Sequence, residues 1–120
     1  MKERGHLLEF EWFRVPDAKK SGLKYKVEEI AKALKGLGLF LPSKVVIGSK
    51  TEWEELFAEA ASGAANRKKK IIYLPDDASP ETIIHEILHV NFPDLSEREI
   101  EKITSDYDEK LDREGVLSRL

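Results

Sequence analysis

Apolar residues recur along this chain in two periods, and the switching between them predicts the element order. Residues 6–15 (HLLEFEWFRV) alternate with period two: Leu8, Phe10 and Trp12 oppose Leu7, Glu9, Glu11 and Phe13. Pro16-Asp17 stops the run, so a strand is expected there. From Ser21, read as a helix cap, the period lengthens. Leu23, Val27, Ile30, Leu34 and Leu37 form one stripe, which ends at Gly36 or Gly38. Lys44–Ile47 predicts a short strand. Thr51 and Glu54 then spell a capping box for a helix with Trp53, Leu56, Phe57 and Ala60 inward, ended by Ser62-Gly63.

A loop through Asn66 and the basic run Arg67–Lys70 leads to a strand at Ile71–Leu74, closed by Pro75-Asp76-Asp77. Ser79-Pro80-Glu81 is a strong helix start: a cap, a proline at the first helical position, and an acid in the first turn. That helix should run to Asn91 or Phe92, before Pro93. Ser96 with Glu99 is another capping box, opening a helix to about Leu111 with Ile100, Ile103, Tyr107 and Leu111 inward. The tail from Arg113 to Leu120 has no firm element. The fold class expected is α+β, a small mixed sheet of about three strands with a backing helix and two later helices packed on it.

Composition narrows the classes. The chain has 120 residues, 41% apolar and 36% charged, which suits one globular domain over residues 1–120. A net charge of −3 gives no reason to expect a nucleic-acid or anionic-membrane partner. No apolar stretch is long enough to span a bilayer, and Met1–His6 lacks the apolar core of a signal peptide, so a cytoplasmic protein is expected. Glutamine is missing and Lys, Arg and Glu abound, a composition that leans towards a thermophile. Cysteine is absent, so any metal must be held by histidine and carboxylate.

Residues 85–89 read His-Glu-Ile-Leu-His. On a helix, two imidazoles four residues apart lie about 40° apart around the axis and can converge on one zinc ion. Glu86 sits about 100° round from His85, where its carboxylate can take a proton from a metal-activated water. Ile83, Ile84, Ile87, Leu88 and Val90 cover the rest of the circumference, and a buried helix spending its polar sector this way needs a reason. The bland alternative is a pair of half-exposed histidines at a helix edge. A third ligand should come from the next helix. There Glu97 lies about 60° from the centre of the apolar face and Glu101 about 100°. Glu97 is the expected ligand, with Glu101 holding a histidine by its second ring nitrogen; the reverse assignment also fits. For either glutamate, a solvated acidic helix start is the commoner fate.

Residues 71–111, IIYLPDDASPETIIHEILHVNFPDLSEREIEKITSDYDEKL, resemble the core of the minigluzincins, very small gluzincin-type zinc metallopeptidases. The resemblance covers about a third of the chain. It implies a strand before the His-Glu-x-x-His helix and a "glutamate helix" after it that supplies the third ligand, often with another acid or amide four residues on. Glu97 and Glu101 match that spacing, although larger relatives usually have Asp or Asn where Glu101 stands. Some members resemble zymogens whose C-terminal segment lies in their own cleft, and residues 112–120 are the candidate for that here.

The function expected is zinc-dependent endopeptidase activity on a peptide or protein substrate. His85, His89 and Glu97 would be the ligands and Glu86 the general base. Tyr73, Tyr107 and Tyr25 are candidates for holding the oxyanion, each as readily read as a core tyrosine, and the strand Ile71–Leu74 could pair with an extended substrate. The alternatives are a zinc-binding module that cleaves nothing and a nucleic-acid protein using Arg67–Lys70. Such a basic run is more often a solvated loop guarding a sheet edge.

Overall fold

In the computed structural model, which describes residues 8–49, 70–120 and the backbone of 65–66, three parallel strands form most of one sheet. These are β1 (Glu9–Phe13), β2 (Lys44–Gly48) and, after the two-residue β3 (Ala65–Asn66), β4 (Ile71–Pro75). The order across the sheet is β1-β2-β4-β3, with β3 antiparallel to β4. Among the described residues three α-helices are numbered likewise: α1 (Asp17–Gly36), α2 (Pro80–Asn91) and α3 (Glu97–Arg113). The expected α+β class is what the chain adopts.

Register explains how the sheet carries the helices. Phe10, Val45 and Ile72 are aligned across three strands, and so are Trp12, Ile47 and Leu74. Residues aligned in a parallel ladder share a face, so these two rows form one apolar surface. Leu23, Val27, Ile30 and Leu34 of α1 and Ile83, Ile84, Ile87 and Leu88 of α2 join it in a single core, with Ile100 and Leu111 of α3. β1, at the edge, alternates half-buried Phe10 and Trp12 with exposed glutamates. Central β2 buries Val45, Val46 and Ile47 consecutively, as strands covered on both faces do.

Local chemistry sets the helix ends. α1 begins four residues before the expected cap at Ser21. Pro16 fixes φ at −59°, its carbonyl accepts from Lys19 N at 2.9 Å, and Asp17 places a negative charge in the first turn. Ser21 is therefore inside the helix. At the other end Gly38 adopts φ 96°. Leu39 N bonds to Leu34 O and Gly38 N to Lys35 O, a Schellman turn that needs the left-handed glycine. Ser79 caps α2 by accepting from Thr82 N, with Pro80 at the first position. Ser96 and Glu99 complete a reciprocal capping box on α3.

Two expectations change. Asn66, placed in a loop by the sequence, pairs with Ile71 in β3, so part of β4's outer edge is already occupied. The tail, read from the sequence without a firm element, takes a defined course. Gly115, at φ 80°, closes a second Schellman turn in which Val116 N bonds to Leu111 O, and Val116 is buried in the core at 5% exposure. A short 3₁₀ turn, Leu117–Arg119, follows, and Arg119 reaches Glu29 of α1 at 3.8 Å. The helix expected over residues 51–62, His6, and Arg67 to Lys69 lie outside the described residues. Among the described residues no helix is long and apolar enough to cross a membrane.

Candidate metal centre

Two contacts from elsewhere in the fold hold α2 in place. The Asn91 side chain clamps Phe40, accepting from its N–H at 2.6 Å and donating to its carbonyl at 2.9 Å, which ties the end of α2 to the α1–β2 loop. At the start, Lys26 Nζ donates to Ala78 O at 3.1 Å. Apolar residues pin the remaining circumference. Ile83, Ile84, Ile87 and Leu88 have no exposed surface, which turns His85, Glu86 and His89 towards α3. The five-residue connection between the helices lets α3 fold back, so its first turn meets the last turns of α2.

Glu97 bridges both histidines. Its Oε2 lies 2.8 Å from His85 Nε2 and its Oε1 lies 2.7 Å from His89 Nε2. The two rings meet edge-on, with centroids 4.8 Å apart and planes at 69°. One ligand atom from each of the three residues falls within 4.8 Å of the others. Burial, the largest single effect, pushes the Glu97 carboxyl up, but hydrogen bonds and charge from His85 and His89 together outweigh it and hold the group below the usual carboxylate range.

Glu86 lies beside this group and behaves differently. It is 8% exposed, and its Oε1 is buried with no hydrogen-bond partner among the described residues. Burial first, and the charge of Glu97 second, push its carboxyl up to about 8. A buried carboxylate oxygen left without a partner is costly in a purely structural role. Two imidazoles and a carboxylate converging with no thiolate is a donor set that suits zinc in a site with a position left open. The same set also holds iron(II) in other proteins. The residues present fit a divalent metal.

Glu101 does not hold a histidine. Position 101 is about 40° round the helix from Glu97, whereas position 104 is about 20° round on the other side. The structure uses the latter: Thr104, 2% exposed, sets its Oγ1 3.4 Å from His85 Nδ1 and donates to Ile100 O at 2.6 Å. A polar residue two turns after Glu97, in a row otherwise apolar, was the available signal. Glu101 instead stands exposed along an open groove of about 590 Å³ that is also lined by Glu81, His85, Glu86 and Glu97. No tail residue lines it, and neither does any of the three candidate tyrosines. Tyr73 alternates with core-facing Ile72 and Leu74 and so lies on the other sheet face, Tyr107 packs on the core, and Tyr25 is exposed on α1. No family model matches this sequence, and no curated protein or solved structure is similar enough to count as a match.

Proposed function

We propose that the protein is a zinc-dependent peptidase, with His85, His89 and Glu97 as the metal ligands and Glu86 as the general base. The observation that carries this reading is the conjunction of the three converging ligand residues with a buried, unpartnered Glu86 oxygen, beside a groove that His85, Glu86 and Glu97 line. Zinc, when bound, supplies Lewis acidity towards a carbonyl and brings the pKa of water near neutrality.

Each side chain then has a definable task. His85 and His89 would offer their Nε2 atoms to the ion, and Glu97 would add a carboxylate that partly neutralises it. Glu86 accepts the proton of the attacking water at a carboxylate oxygen as the water oxygen bonds to the scissile carbonyl carbon. It passes that proton to the amine nitrogen as the C–N bond breaks. Holding Glu86 in an apolar setting favours that exchange, because its affinity for a proton is closer to neutrality than that of a solvated glutamate.

Metal analysis of the purified chain separates zinc from iron(II) and tests the ligand set. One divalent ion per chain is expected, falling to background in the His85→Ala, His89→Ala double variant. Casein hydrolysis by the metal-loaded chain, abolished in Glu86→Gln with metal retained, is expected for a peptidase. Equal metal in wild type and double variant would remove the centre. Metal without hydrolysis would leave a binding module.

A further inference from the structure

The charge of the groove carries more information than the metal requires. Glu81, Glu86, Glu97 and Glu101 all line it, and no lysine or arginine does so among the described residues. With Glu86 left out as the proton carrier, the three other carboxylates outweigh a dication by one charge, so the groove stays negative after metal binding.

The chain has 20 Lys and Arg residues, and other acids find them: Asp17 pairs with Lys20, Glu11 with Lys44, Asp76 with Lys19 and Glu29 with Arg119. Glu81 and Glu101 have no ion-pair partner among the described residues.

Position gives the excess a direction. Glu81 is one turn before His85 on α2, and Glu101 is one turn after Glu97 on α3. Because α3 folds back along α2 with Thr104 beside His85, Glu101 and Glu81 line the groove on either side of His85. Asp108, one turn after Thr104 on α3, has its carboxyl pushed up by burial and then by Glu81 and Asp112, so the negative field extends past Glu81. An independent sign that this groove receives a ligand is Glu86, more than nine-tenths buried, with an oxygen that nothing in the described protein satisfies.

We propose that Glu81 and Glu101 select substrates with an arginine or lysine side chain close to the scissile bond. This rests on the peptidase reading of the same groove. A peptide cation fits better than a second metal ion because the two carboxylates come from different helices and stand exposed, open to a long side chain from solvent. Two carboxylates of one sign also raise the local concentration of cationic peptides.

The test pairs peptides that differ at one position, arginine against citrulline, which keeps the shape and removes the charge. With the zinc-loaded full chain, kcat/KM should favour arginine by about tenfold, a ratio expected for two charge-assisted contacts. In Glu81→Gln, Glu101→Gln the ratio should collapse towards one, with zinc content as the check on the centre. Calorimetry on zinc-loaded Glu86→Gln reads recognition without cleavage. There the arginine peptide should bind about tenfold tighter at low salt and lose that margin at high salt. Equal affinity for both peptides would overturn the selection and leave the peptidase reading standing. An arginine margin in binding, with no cleavage by wild type, would support the selection and sink the peptidase reading. Displacement of the arginine peptide by millimolar calcium at constant ionic strength would identify a cation site and overturn the proposal.

Discussion

Thr104 meets His85 through a hydroxyl whose one proton is already committed. Its Oγ1 donates to Ile100 O at 2.6 Å, so at 3.4 Å from His85 Nδ1 it can only accept. His85 must then carry its proton on Nδ1 when it gives the Nε2 lone pair to a metal. Thr104 thereby favours the tautomer of His85 that ligates a metal, and this partner is almost wholly buried.

Thr104→Val keeps the shape and removes the acceptor. Zinc affinity measured by competition with a chelator should fall about tenfold to a hundredfold, the usual loss when a partner behind a ligand is removed. Thr104→Ser, which restores the oxygen, should recover most of it. The melting temperature of the metal-free chain separates this from packing damage, which would lower it as well. If valine binds zinc as tightly as threonine, the contact has no role at the metal.

Glu97 and Glu101 are neighbours with different expected fates. Glu97→Ala removes the carboxylate that bridges His85 and His89, and zinc content should drop to near background. Glu101→Ala should leave stoichiometric zinc, because Glu101 is outside the converging group. Parallel metal analysis of the two variants decides between them; the reverse pattern would exchange their roles.

Much of this geometry was legible in the sequence, for identifiable reasons. Caps and prolines act over three or four residues, so Ser79-Pro80 and Ser96 with Glu99 located both helices of the centre. The i, i+4 spacing then fixed which way His85 and His89 point. What escaped depends on contacts between elements. Choosing Thr104 over Glu101 as His85's partner requires knowing how far α3 is rotated against α2. Burial of Val116 requires knowing that a left-handed Gly115 turns the tail into the core. The start of α1 was misplaced because Pro16 reads locally as a strand stop and serves equally as a helix entry.

The tail's position gives a prediction opposite to a latent enzyme. Removing residues after Asp112 exposes the core beside Leu111 and deletes Val116, which contributes about 2 kcal/mol by its buried methyl groups alone. Truncation should lower the urea midpoint and produce no new casein hydrolysis. Activity appearing only on truncation would show that the tail restrains the groove after all.

Asn91 offers a test of how the clamp at the end of α2 contributes. Its side chain makes three hydrogen bonds, to Phe40 N, Phe40 O and Ile87 O. Asn91→Ala should destabilise the fold by about 1–3 kcal/mol, since the Phe40 groups can recover water only in part. Urea denaturation measures this directly. A change below about 0.5 kcal/mol would mean that the apolar face of α2 holds the helix unaided.

The raised carboxyl of Glu86 makes the stability of the metal-free chain depend on pH with a defined sign. An unfolded glutamate titrates near 4.5, whereas folded Glu86 holds its proton up to about 8. Between those values the folded chain binds a proton that the unfolded chain releases, so unfolding free energy falls as pH rises. The contribution is fully present below about 4.5 and lost once pH passes about 8. Glu86→Gln cannot titrate, and a neutral amide resembles the protonated acid. In chelator, melting temperatures from pH 5 to 8 should therefore fall more steeply for wild type than for the variant, and the two curves should converge at the acid end. Parallel curves would mean that Glu86 is already solvated in the metal-free protein, and its role as a base would have to be argued without its burial.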